Sequence, residues 1–467
     1  MSDTARFVRV LARRDVMALA FGAMIGWGWV VMTGHWILTA GSIGSVLAFV
    51  VGGLAIVCVG LTYAELAAAM PEAGGEHVYS YRGLGHFASF VCTWSIVLGY
   101  MTVVSFEAVA LPTVVENLIP GYSVGHLWTV AGWDVNASWV AVAVVGSLVM
   151  MAINYIGVRT AALVQKLVTL LIVIVGVMFF TGALFSGSGG NLAPLVTGDP
   201  GVAAGLFSVL VMVPFMFVGF DVIPQAAEEI DLPHRDIGRL LIFSVVLAVL
   251  WYAAMIFGTA YALGPQGIDP DSLAVPDAMA SAFAGGWAGK LMVLAGMAGI
   301  VTSWNAFYIG GSRAIYALAR AGMLPAVFAR LHPRYRTPYA AILLIGVVST
   351  IAPFFGRSTA VWLVDAGGLG IVIAYLFVAA SFVVLRYREP DMARPFKTRG
   401  GVTLGVIAVV LSVIIVGLYL PFSPSALKPV EWGIFAAWML AGLVMYVWAR
   451  QYYGLEPARH IGASGEA

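Results

Sequence analysis

The stretch DVMALAFGAMIGWGWVVMTGHWIL, residues 15–38, is apolar and long enough to cross a bilayer as a helix, yet it carries glycines at positions 22, 26 and 28. Each glycine inside a helix costs ~1 kcal/mol relative to alanine, so the segment is expected to weaken there. A second stretch has a similar flaw. VPFMFVGFDVIPQ, residues 213–225, sets Pro214, Gly219 and Pro224 around a lone acid, Asp221. Two membrane-length segments that break in the middle decide how the rest of the chain is read.

The 467 residues are 61% hydrophobic and 10% charged, with a mean hydropathy of +0.95, more apolar surface than a soluble core absorbs. The chain reads as an all-α polytopic membrane protein. A hydrocarbon core of ~30 Å needs ~20 apolar residues per helix. Such windows recur twelve times, at 16–38, 43–69, 88–112, 137–155, 160–184, 203–227, 238–263, 287–312, 338–354, 362–385, 403–421 and 429–449. The predicted organisation is a cytoplasmic N-terminal segment (1–15), a first five-helix repeat (16–184), a second, inverted one (203–385), two further helices (403–449) and a cytoplasmic tail (450–467). The first apolar run is too long for a cleaved signal and is expected to be retained as an anchor.

A net charge of +1 excludes a nucleic-acid binder and leaves small molecules and membrane lipid as partners, with the oligomeric state open. Cys58 and Cys92 lie in apolar runs, and no disulfide framework is expected. Lys and Arg accumulate on cytoplasmic loops. With the N-terminus inside, all but three of the 24 basic residues (Lys290, Arg357 and Lys428) fall on that side, so both termini are expected in the cytoplasm and the chain in the cytoplasmic membrane.

The broken segments are the first and sixth spans, the same place in two consecutive sets of five. Interrupted helices at matching positions point to a transporter of inverted repeats with its site at the midplane. Unwound backbone at that depth must face a cavity or other protein. A break at Gly26–Gly28 would offer amides of the outer half-helix to an anion and carbonyls of the inner half-helix to a cation, an arrangement suited to a zwitterion.

Several ordered motifs carry a family resemblance. They are Gly26-Trp27-Gly28, TYAELAAAMPEAGGEHVYSYRGLG (62–85), FVGFDVIPQAAEE (217–229) with its closing Glu228 and Glu229, SRAIYALARAGMLP (312–325) and LRYREPDMARPFK (385–397). The chain resembles the amino acid, polyamine and organocation permeases, which have the five-plus-five inverted-repeat fold of the leucine-transporter type with discontinuous helices 1 and 6. The family signature in helix 1 usually reads Gly-Ser-Gly, so Trp27 is a departure. The resemblance implies a secondary transporter working by alternating access, with helices 1, 2, 6 and 7 rocking against 3, 4, 8 and 9.

Carried over residue by residue, it implies that Ile25, Gly26, Trp27 and Gly28 receive a substrate carboxylate while the Met24 and Ile25 carbonyls face the amino group. Phe215 would cap the substrate, Phe217, Val218 and Gly219 lie in the unwound turn, Phe220 is a second gate candidate and Phe307 faces the site. Asp221 is the most informative residue, because an ionisable group in mid-span costs at least ~2.5 kcal/mol and is functional by default. It is a candidate proton carrier or counter-charge for an amine, with Glu107 as a second candidate. No cofactor is expected; coupling to a proton, coupling to sodium and exchange without an ion are all open, and sodium would use helix 1 carbonyls with Thr302 or Ser303. Ile172 stands where some proton-coupled members carry a lysine, and Lys166 is too far toward the cytoplasm to replace it. An indole of Trp27 or Trp29 entering the cavity would favour small amino acids, or an amine through a cation–π contact.

A small amino acid is the expected cargo, with an amine or polyamine bound at Asp221 and aromatic residues as the alternative. A channel or nutrient receptor is more remote. The chain has no H-E-x-x-H, no G-x-S-x-G serine and no Cys-His pair, so an intramembrane enzyme is not expected.

Overall fold

The computed structural model describes residues 7–198, 201–270, 272–423 and 426–453. Most of the predicted tail (450–467) and the start of the N-terminal segment lie outside them. The first predicted span is two helices, α1 (Arg13–Met24) and α2 (Gly28–Ala40), bent by 43° at Ile25–Trp27. There follow α3 (Ser42–Ala69), a short α4 (Glu76–Leu84) that the apolar windows did not announce, and α5 (His86–Leu118).

The next loop corrects the all-α expectation in one place. Strands β1 (His126–Val130) and β2 (Trp133–Asn136) pair antiparallel across a two-residue turn, Ala131-Gly132, with both residues at positive φ (51° and 80°). Tight hairpins need that geometry, and alanine at its first position hides the usual Asn-Gly signal.

Helices α6 (Ala137–Ile156) and α7 (Val158–Ser186) complete the first half. The sixth span is in pieces, α8 (Val202–Leu210), α9 (Val213–Met216) and α10 (Val222–Gln225), with residues 217–221 unwound between the last two. The remaining helices are α11 (His234–Leu263), α12 (Ala274–Ala282), α13 (Gly286–Arg320), α14 (Tyr339–Ile351), α15 (Ser358–Arg388), α16 (Gly401–Leu418) and α17 (Pro429–Tyr453). Among the described residues nine helices are long and apolar enough to cross a membrane, and the bent pair α1–α2 makes a tenth. Two shorter apolar helices, Val202–Met216 and Tyr339–Phe355, fall on the predicted sixth and ninth spans. The chain is therefore a polytopic integral membrane protein.

Helices α5 and α13 form the centre, each with 83% of its apolar window buried, against 17% for α16 and α17 at the periphery. The central pair pack on each other, α5 also on α15 and α13 also on α7, while α3 pairs with α11 and α6 with α14. Small residues let these helices approach closely: Gly99 admits Ile371, Gly146 admits Leu111 and Gly176 admits Trp251.

The chain start is tied to the end of the sixth span. Val10 and Leu11 N–H both donate to the Glu229 carbonyl (2.9 Å each), Asp231 N–H returns a bond to Leu11 (3.0 Å), and Leu11 pairs with Ile230 in a parallel bridge. This N-terminal strap marks one face of the protein; the hairpin marks the other.

Candidate functional site

The two breaks meet. Gly219 has φ +132°, a left-handed conformation that side chains strain, and a Cβ added there would lie 2.6 Å from Ala23 Cβ and 3.0 Å from the Met24 nitrogen. The unwound turn of the sixth span therefore lies directly on the C-terminal end of α1. Tyr252 of α11 joins them from the side, its hydroxyl within hydrogen-bond reach of the Met24 (2.9 Å) and Met216 (3.2 Å) carbonyls. The Ile25 carbonyl accepts from the Trp29 indole N–H (3.3 Å). Both carbonyls assigned to a substrate amino group thus have donors within the protein.

At the start of α2 the occupant is Glu107, fully buried on α5. Its carboxylate interacts with the Trp27 backbone N–H and the Ser303 hydroxyl. A Cβ on Gly26 would stand 2.7 Å from Glu107 Oε1 and 3.0 Å from Ser303 Cβ, so Gly26 is the notch that admits this carboxyl. The amide end suited to an anion holds the protein's own acid, as a helix N-terminus favours. Gly28 accommodates Met216, whose Sδ would be 2.7 Å from its Cβ.

Asp221 is fully buried and doubly bound: the Tyr100 hydroxyl of α5 donates to Oδ2 (2.6 Å) and the Gly219 N–H to Oδ1 (2.7 Å). Phe307 packs at a tilt on Tyr100, with ring centroids 5.4 Å apart, and buttresses that contact.

The other candidates are distributed around this centre. Phe215 is half-buried and meets Phe106 of α5 edge-on (6.4 Å), and Phe106 packs in turn beside hairpin residues. Phe217 packs against Tyr252 (5.4 Å) and Phe49, and Phe220 against Tyr63 (5.3 Å) and Tyr375 (5.4 Å). Val218 is buried in the turn. The Trp27 ring packs on Gly296 of α13, and Trp29 meets Trp251 edge-on (5.3 Å). Thr302 donates to the Gly299 carbonyl of its own helix (2.9 Å), and Lys166 pairs with Asp15 (3.0 Å).

Sequence reasoning passed over Tyr100 and Tyr252, because a tyrosine in an apolar run has no spacing that betrays a hydrogen bond to another helix. It also passed over an amide chain. Asn154 donates to Asn305 (2.9 Å), Asn305 to Gln165 (2.9 Å) and Gln165 to the Ala18 carbonyl (3.1 Å), tying α6, α13, α7 and α1 together. Three carboxamides inside apolar spans were the visible signal. Toward the strap face, Arg313 of α13 and Glu229 form a buried ion pair (2.8 Å), with Phe7 over the guanidinium (5.6 Å). Glu65, at the end of α3, is bound by Arg386 (2.5 Å) and Arg394 (2.9 Å).

Residues 11–445 match the amino acid permease family. The chain is 28% identical to the branched-chain amino acid permease BcaP of Bacillus subtilis, over 94% of this chain and 92% of that protein. It is 27% identical to the methylthioribose transporter of the same organism, covering 97% and 95% of the two chains. It is 24% identical to that organism's aspartate-proton symporter, covering 89% and 80%. The family and these relatives are transporters, not enzymes. With a match that runs through both breaks and nearly the whole described structure, this chain belongs to the amino acid permease family.

Proposed function

We propose that the protein is a secondary active transporter that moves a small amino acid across the cytoplasmic membrane by alternating access, with both termini in the cytoplasm and twelve spans arranged as five-plus-five inverted repeats. The observation that carries the reading is the junction of two broken spans, where α2 begins at a buried carboxyl and the turn at Phe217–Asp221 lies on the end of α1. The helix pairings support the repeat. α3 with α11, α5 with α13 and α6 with α14 each join spans five apart, and exchanging the halves turns α5–α15 into α13–α7. Relatives named for branched-chain amino acids and aspartate support the cargo, while one named for methylthioribose marks the breadth of the family.

In this reading α1–α3 and the sixth and seventh spans rock against α5, α6, α13 and α14. Phe106 and Phe215 then act as the outer gate, and Arg313 and Glu229 as the inner one. Met24, Ile25, Gly26, Trp27, Gly28, Val218 and Phe220 surround the substrate. Its carboxylate shares the start of α2 with Glu107, which accommodates it in neutral form. A proton is the coupling ion favoured here. Of the helix 1 carbonyls, those of Met24 and Ile25 already accept hydrogen bonds, and the Thr302 hydroxyl donates within its own helix.

The test is thermal stabilisation of the purified protein across amino acids, amines and polyamines, since a ligand of the native state raises apparent stability. Stabilisation by small neutral amino acids, followed by their saturable uptake into proteoliposomes, is the expected result. The amine reading is favoured by Glu107 holding the Trp27 amide, because two carboxyls then face the site. Stabilisation only by amines without a carboxylate would establish it in place of the first.

A further inference from the structure

Below the break of the sixth span, toward the strap face, lies a cluster that the transport reading leaves unused. Glu76 opens α4 and is fully buried. One of its oxygens, Oε2, accepts from the Gln225 amide of α10. The other, Oε1, has no hydrogen-bond partner among the described residues, and neither do the hydroxyls of Tyr63 and Tyr375 or Gln225 Oε1, all on buried side chains. These groups belong to one chamber. The Tyr63 and Tyr375 rings meet edge-on (5.7 Å), Phe220 touches both, and the Tyr63 hydroxyl lies near Glu76 and Asp221 without hydrogen-bond geometry to either. Buried polar atoms are nearly always paired, so several orphaned oxygens around one carboxyl point to a species bound there.

The surrounding charge indicates which species. Asp221, the neighbouring acid, takes donors on both oxygens. The titratable groups facing Glu76 are Asp221 from the unwound turn, Tyr63 from α3, Tyr79 from α4, Cys92 and Tyr100 from α5, and Tyr375 from α15. None is basic. Arg313 of α13 and Arg386 and Arg388 of α15 are engaged elsewhere, by Glu229, Glu65 and the Gly83 carbonyl. Two enclosed acids with no basic side chain facing them among the described residues resist ionising together, because burial removes the solvation that would offset their repulsion.

We propose that Glu76 is the proton-binding residue of this transporter, taking up and releasing at Oε1, among the Tyr63, Tyr375 and Gln225 oxygens, the proton that travels with substrate. The inference rests on the transport reading and deepens it. On loading, a proton passes from hydronium to Oε1 and leaves water; on release toward the strap face the same O–H bond breaks and the proton returns to water. Burial, reinforced by Asp221, pushes the Glu76 carboxyl well above the usual carboxylate range. Its neutral form is therefore kept at pH values that ionise an exposed glutamate, and is lost as pH rises through the elevated value. Loss of the proton sets two carboxylates against each other beside the turn at Gly219, which links protonation to the mobile part of the site.

The experiment compares the wild type with Glu76→Gln in proteoliposomes, with L-leucine as probe, and follows the protonated-carboxyl stretching band of both proteins by infrared titration. The expected result is that Glu76→Gln loses accumulation driven by a pH gradient, keeps leucine counterflow at equal pH and lacks one titrating carboxyl band. Gradient-driven accumulation by Glu76→Gln at the wild-type level, or an unchanged set of bands, would overturn the proposal. If the wild type moves no leucine under either drive, the choice of cargo fails. The infrared comparison still decides the proton site, supporting it if Glu76→Gln removes a band and overturning it otherwise. Should Glu76→Gln not fold, Tyr63→Phe keeps the carboxyl and deletes its neighbour. It is expected to shift the pH midpoint of the band, and an unmoved midpoint would overturn the proposal.

Discussion

The break between α1 and α2 and the break in the sixth span both contain glycine and both are answered by a carboxylate, but they use them differently. In the first, the glycines provide room: Gly22 admits Gln165 and Thr169, Gly26 admits Glu107 and Ser303, and Gly28 admits Met216. In the second, Gly219 provides a dihedral angle, and the acid that binds its amide, Asp221, lies two residues along the same turn. One break depends on other helices to fill it. The other largely closes on itself, and among the described residues receives Tyr100 of α5 as its side-chain donor from outside. Interrupted helices that look equivalent in sequence can thus differ in which element holds them open.

That contrast can be broken most directly at Gly219. Gly219→Ala combines a strained positive φ with a methyl 3.0 Å from the Met24 nitrogen, and is expected to destabilise the purified protein by about 3 kcal/mol or more and to abolish uptake. A thermal unfolding midpoint near that of the wild type would mean that the turn is not locked by its dihedral. Tyr100→Phe leaves Asp221 Oδ2 without its hydroxyl and should cost ~1.5–3 kcal/mol by the same measurement. An effect near zero would show that the turn needs nothing from α5.

Gly26→Ala sharpens the comparison from the other side. Alone it should cost ~1–3 kcal/mol, because the methyl meets the Glu107 carboxyl. Combined with Glu107→Ala, most of that cost should disappear, and a double-mutant cycle should show strong non-additivity. Additive losses would place the obstacle in the backbone, as at Gly219. The smallest effect is expected for Tyr252→Phe, ~1 kcal/mol, since it removes one donor shared by the Met24 and Met216 carbonyls. Hydrogen exchange at the two breaks would show whether both loosen together.

The contrast also explains how far the sequence could be read. Hydropathy located the long helices, and Gly-rich and Pro-Gly-Pro segments located both breaks, because helix propensity and span length are local properties. What fills each break is not local. Glu107 lies 81 positions from Gly26 and reaches it only because α5 packs beside α1 and α2 at that level. Tyr100 lies 121 positions from Asp221. Glu76 sits between two predicted spans, 43–69 and 88–112, and its burial follows from α4 folding back against α5 and α15. The hairpin at His126–Asn136 was hidden for a simpler reason, a tight turn built on Ala-Gly.

The strap at Val10 and Leu11 has a practical consequence for anyone who labels this protein. It is hydrogen-bonded to Glu229 and Asp231, beside the Arg313–Glu229 pair. In the proposed transport cycle the Arg313–Glu229 pair is the inner gate, so a fluorescent protein or affinity handle fused ahead of residue 7 would load that gate, and such a fusion would report altered turnover as though it were native behaviour. A label following α17, attached to the least buried helices, is the appropriate control for comparing rates.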